Sequence, residues 1–94
     1  MTRGIANEIP VEVQAFMWNI ITEQVAACGG VDYLQVFTFS RNDNQLIVHY
    51  KQEIPEVSRR FAIEYRDEFY KFLQETIFVI DEINHSTMLF AHEY

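Results

Sequence analysis

One stretch constrains this chain more than any other: Pro10 to Cys28, PVEVQAFMWNIITEQVAAC, followed by Gly29-Gly30. Proline suits a first helical position, where its missing N–H costs nothing and its ring presets φ, and Glu12 puts negative charge near the positive end of the helix dipole. Asn7 or Glu8 then falls near the cap. Gly29 can take the left-handed conformation that closes a helix, and Gly30 frees the chain to leave at a new angle. The pattern predicts one long helix with marked ends.

At about 100° per residue, Val13, Phe16, Met17, Ile20, Ala27 and Cys28 share one face, and Val11, Trp18, Ile21 and Val25 widen it sideways, opposite Glu12, Asn19, Thr22 and Glu23. The apolar arc is roughly 220° wide, against the ~100° that a helix lying on one sheet requires. Something besides the sheet must cover the Trp18 flank, either a second element of the same chain or a partner chain.

The rest of the chain reads as that sheet. Asp32 to Ser40, DYLQVFTFS, carries Tyr33, Phe37 and Phe39 on one alternating set and Leu34 and Val36 on the other, which places it inside a sheet. Arg41-Asn42-Asp43-Asn44 is a turn, and Leu46 to Lys51 returns as the second arm of a hairpin with Leu46, Val48 and Tyr50 inward. Ile54-Pro55 interrupts the pairing. Arg59 to Tyr65 then alternates Phe61, Ile63 and Tyr65 against a wet face of Arg60, Ala62 and Glu64. In Asp67 to Glu75 the period changes, with Tyr65, Phe69, Phe72 and Leu73 at helical spacing, so a short helix is expected. Thr76 to Asp81, TIFVID, is apolar on both faces and belongs in the middle of the sheet. Glu82-Ile83-Asn84-His85 turns into a last strand, Ser86 to Ala91, and Thr2 to Ala6 would add a short edge strand.

The fold expected is therefore α+β: one long N-terminal helix packed on a five- to six-stranded, mainly antiparallel sheet, with a short second helix before the last two strands. Ninety-four residues at 49% hydrophobic content make one domain, spanning residues 1–94, with a single core.

Three segments, TRGIANEIPVEVQAFMW, DYLQVF and FVIDEINHSTMLFAHEY, resemble a family of short proteins from Gram-positive bacteria, often carried on mobile elements and catalogued as domain of unknown function nine hundred and sixty. The resemblance covers most of the chain outside Val57 to Gln74. In that family the turn before HSTML carries a glycine, where this chain has Ile83. The resemblance implies a cytoplasmic bacterial protein and brings no catalytic residue with it.

Chemistry is sparse. Asp81, Glu82, Asn84, His85 and Ser86, with His92 and Glu93 beyond, are the nearest thing to a cluster, but His85 and His92 have opposite parity along one strand and would point to opposite faces. Ser86 would need a base against its hydroxyl, and adjacent His85 points away from it in an extended chain. A turn in which Asp81 and Asn84 bond nearby N–H groups is the simpler reading. Cys28 has only the negative end of a helix beside it, the wrong polarity for activating a thiol, and falls on the apolar arc as a buried residue. His49 lies on the outward set of its strand, near Lys51, as a solvent-edge residue. Neither metal, cofactor nor phosphate cradle is expected.

One cysteine cannot form an internal disulfide, no stretch is long and apolar enough to span a bilayer, and the amino terminus lacks a signal core, so the expected location is cytoplasmic. Fourteen acids against seven bases give a net charge of −7, spread over both halves, so direct nucleic-acid binding is not expected. What remains is a non-enzymatic protein-interaction domain whose partner is another protein. The alternative is an acidic mimic of DNA that inhibits a DNA-binding protein, with Glu64, Asp67, Glu68, Glu75, Asp81 and Glu82 on one face. A small hydrolase is the remote alternative. The wide helix arc and the two strands asking for cover on both faces motivate a homodimer centred on Val11, Trp18 and Val25, against a monomer in which Phe69, Phe72 and Leu73 fold back over the flank.

Overall fold

The computed structural model describes residues 2–28, 33–53, 56–81 and 85–94, apart from the side chain of Cys28. The expected glycine stop at Gly29-Gly30, the start of the first strand at Asp32, the Ile54-Pro55 interruption, the Glu82-Ile83-Asn84 turn and the burial of the Cys28 thiol lie outside the described residues.

Helix α2, Val11–Cys28, is the long helix. The Pro10 carbonyl accepts from the N–H groups of Val13 and Gln14, both at 3.0 Å, so proline opens the first turn. Val13, Met17, Ile20 and Ile21 are buried, and Phe16 and Trp18 pack half-buried on either side of them. Ala27, expected on the same face, is exposed.

Five strands follow: β1 Leu34–Asn42, β2 Gln45–Gln52, β3 Val57–Glu64, β4 Ile77–Asp81 and β5 Ser86–Phe90. They form one antiparallel sheet in the order β3-β2-β1-β4-β5. The β1–β2 turn is Asp43-Asn44, and Asp43 has φ of 55°, a conformation that Asp and Asn tolerate better than most residues. Phe37 pairs with Tyr50 across one ladder and with Ile77 across the other, and Ile77 pairs with Phe90. These four side chains are fully buried under α2, which places the core between the helix and one face of the sheet. At one end of that core the Tyr50 hydroxyl lies 3.2 Å from the Gln35 carbonyl oxygen and 2.9 Å from that of Gln52, so buried amides are held by a buried phenol.

One expectation is corrected and another is sharpened. Thr2 to Ala6 is not a strand but enters α1, Arg3–Glu8. Ile5 and Ile9 recur at helical spacing and both are buried, the Thr2 hydroxyl accepts from the Ile5 N–H, and the amide of Gln14 donates to the Ile5 and Ile9 carbonyls at 3.3 and 2.7 Å. So short a helix is unstable alone and is held by α2 and β5. The second helix, expected over Asp67 to Glu75, is a 3₁₀ helix over Asp67–Phe72. Its three-residue repeat turns Phe69 and Phe72 into the core and leaves Tyr70 77% exposed. Phe72 meets Phe39 edge-on at 5.0 Å, filling the core beside the part of β1 that extends beyond β4.

Candidate functional site

Only one face of the sheet lies under α2. Strand alternation sends Leu34, Val36, Thr38 and Ser40 of β1 to the other face, together with Ile47, His49 and Lys51 of β2 and Ser58, Arg60 and Ala62 of β3. Over β4 and β5 that face has partial cover, where Phe78 packs edge-on against Tyr94 at 5.7 Å. Over β1 to β3 no described element lies across it, and Leu34, Val36 and Ile47 remain half-buried.

Two hollows mark this surface. One, of about 410 Å³, is lined by Thr38, Ser40, Ile47, His49, Arg60 and Ala62. The other, of about 810 Å³, runs past Leu34, Val36, Lys51 and Ser58 to Glu53 and Glu56. Between them His49 and Ser58 meet: the ring Nε2 lies 2.7 Å from the Ser58 hydroxyl oxygen. The β2–β3 register makes this contact, since His49 pairs with Arg60 and Lys51 with Ser58, leaving His49 and Ser58 as diagonal neighbours. Burial, then the charge of Arg60, then that of Lys51 hold the His49 pKa below its ordinary value. A neutral imidazole against a hydroxyl is the geometry of a base and a nucleophile, but among the described residues no carboxylate bonds the ring to orient it. The two cations give this patch a positive centre on a chain whose net charge is −7.

The residues singled out from sequence are scattered by comparison. Val11 and Val25 are 75% and 42% exposed, while Trp18 between them packs half-buried against the core. Among the acids, Glu64 stands where β3 meets the β1–β2 turn, and Asp81 stands at the other end of the sheet, where its N–H reaches the Tyr33 carbonyl. That is nearly the length of β1, roughly 30 Å at ~3.3 Å per residue. Asp81 also points to the helix side, where it accepts from the Ser86 hydroxyl at 2.6 Å. Asp67 begins the 3₁₀ helix, Glu68 pairs with Arg66 at 2.8 Å, Glu75 faces His92 at 3.5 Å, and Glu82 lies outside the described residues. The five described acids are not brought onto one face. The Ser86 hydroxyl donates to Asp81, and no group of three or more metal-ligating side chains occurs among the described residues. The His49–Ser58 pair is not legible in the sequence, where His49 reads as a solvent-edge residue and Ser58 precedes a strand expected from Arg59; β3 in fact starts at Val57, and only its register with β2 joins the two.

A family model described as staphylococcal protein of unknown function, DUF960, matches residues 1–93. The chain belongs to the DUF960 family. The resemblance carried by three short segments therefore extends across the stretch from Val57 to Gln74 as well. A solved structure titled as a protein of unknown function from Enterococcus faecalis is similar to this DUF960 chain at 21% identity and a TM-score of 0.79, covering 99% of this chain and 86% of that one. At that identity the likeness shows the fold: a helix followed by five antiparallel strands in one sheet. No protein with a curated description matches the chain. The family and this neighbour are both of unknown function.

Proposed function

We propose that this DUF960 chain is a cytoplasmic, non-enzymatic protein-binding domain whose working surface is the open face of β1 to β3. The carrying observation is the half-buried apolar set Leu34, Val36 and Ile47 around the cations Lys51 and Arg60, on the side of the sheet away from α2. Large apolar groups left at a surface beside focused charge are the composition of a recognition patch. The acids support this reading over mimicry of DNA, since they face different ways and several are already bonded within the chain.

The test is affinity capture from lysate with the intact chain and with Ile47→Lys, a change at the centre of the patch. A protein retained by the native chain, released as salt rises and lost with Ile47→Lys supports the reading. Equal retention by a folded Ile47→Lys chain overturns it. The 2.7 Å contact of His49 with Ser58 favours one second reading, a small serine hydrolase. Ester turnover abolished alike by Ser58→Ala and His49→Ala would establish that instead.

A further inference from the structure

The two edges of the sheet are finished differently. At the β5 edge the Thr2 N–H donates to the Met88 carbonyl at 3.1 Å, and the Phe90 N–H donates to the Glu93 carboxylate at 2.9 Å, so Thr2 and Glu93 occupy that edge. At the other edge β3 is paired along Val57–Glu64 to β2 alone among the described residues. An edge strand of this length offers a row of unpaired backbone groups to any strand that matches it. Phe61 and Ile63 also end the core half-buried there, with Phe16 edge-on to Phe61 at 5.8 Å.

We propose that β3 pairs antiparallel with β3 of a second copy, with Ala62 on the two-fold axis, to make one continuous sheet across two chains. The choice of occupant rests on register. A two-fold axis perpendicular to the sheet opposes only residues of the same face. Centred on Ala62, it sets Arg60 opposite Glu64 of the second copy, and Phe61 opposite its Ile63. Opposite charges then meet twice on the open face, and apolar side chains meet twice on the helix face, extending both cores. Centred on Arg60, it would oppose two arginines. Centred on Phe61, it would leave Arg60 against alanine and Arg59 against Ile63. The charge pattern of β3 is thus self-complementary in one register. The contact is short, a strand of about eight residues at ~3.3 Å each, so it belongs to the weak end of specific interfaces and dissociates on dilution.

Light scattering coupled to gel filtration over a dilution series gives the first reading, and charge reversal gives the decisive one. The native chain shows a dimer mass at high micromolar concentration. Arg60→Glu and Glu64→Arg each weaken it roughly tenfold, since each reverses two cross-strand pairs, and the double variant recovers it. Both side chains are exposed, so far-ultraviolet spectra stay native. In a Cys28→Ser background, Ala62→Cys links two chains under mild oxidation, because directly opposed strand residues sit within disulfide range. A monomer mass throughout overturns the proposal. So does a dimer indifferent to both single reversals and without a linked Ala62→Cys product, which would place the contact on the open face or the Trp18 flank. The readout is mass, independent of what the open face binds.

Discussion

His49 and Glu93 are groups whose neighbours set their charge, in opposite senses. With its pKa lowered in the fold, His49 is protonated first in the unfolded chain, so this residue contributes a loss of stability as pH falls through the ordinary histidine value of 6.5 toward the lower folded one. An NMR titration of the imidazole should show a midpoint below 6.5, and Arg60→Gln should raise it only part of the way, because burial is the larger cause. Glu93 is lowered chiefly by the hydrogen bonds it accepts, first from the Thr2 hydroxyl at 2.7 Å and then from the Phe90 N–H. Its contribution is present above the ordinary carboxylate value of 4.5 and is lost as pH falls through the lowered one. The same carboxylate fills the space over Gly4, where an added Cβ would lie 2.8 Å from its oxygen. That oxygen ends an exposed side chain that can swing aside, so Gly4→Ala should raise the melting temperature less in the native chain, where the swing costs hydrogen bonds to Thr2 and Phe90, than in a Glu93→Ala background, where only the helix preference of alanine remains. An equal effect in both would show that Glu93 does not hold the amino terminus.

At the scale of elements, α2 and the strands answer to different tests. Ile20 is buried at the centre of the helix face, so Ile20→Asp should abolish cooperative unfolding, and an unchanged melting temperature would remove α2 from the core. Tyr50→Phe removes a hydroxyl shared by Gln35 and Gln52 and should cost about 0.5–1.5 kcal/mol in urea denaturation, the range for one net hydrogen bond. A loss below a few tenths would mean that water replaces the phenol. The elements differ equally in how far they were legible. The alternation of Leu46, Val48 and Tyr50 survives intact because each step of a strand reverses the face. In α1 only Ile5 and Ile9 carry apolar signal, too little to establish a period, and the helix is decided by Thr2, Gln14 and β5 around it. The 3₁₀ segment is similar: Tyr65, Phe69, Phe72 and Leu73 fit a helix, but space beside Phe39 admits Phe69 and Phe72 in the tighter repeat.

For the whole molecule, the question raised by a wide helix arc and two-faced strands was where a covering layer is missing. Trp18 is partly covered within the chain, while the far face of β1 to β3 keeps Leu34, Val36 and Ile47 half-buried. A change confined to that face, such as Ile47→Lys, should therefore shift stability far less than Ile20→Asp while removing any bound partner; comparable unfolding by both would make the open face part of the core. By itself the sequence determined the long helix, the antiparallel hairpin, the interior place of TIFVID and the family. The family follows from the resemblance of three segments, and the rest from periodicity and composition, which say which side of an element is apolar. Tertiary structure alone decided what each apolar side meets, because that depends on contacts between segments far apart in the chain. The helix lies on one face of the sheet, Thr2 and Glu93 occupy the β5 edge while β3 is paired to β2 alone among the described residues, and the register between β2 and β3 brings His49 to Ser58.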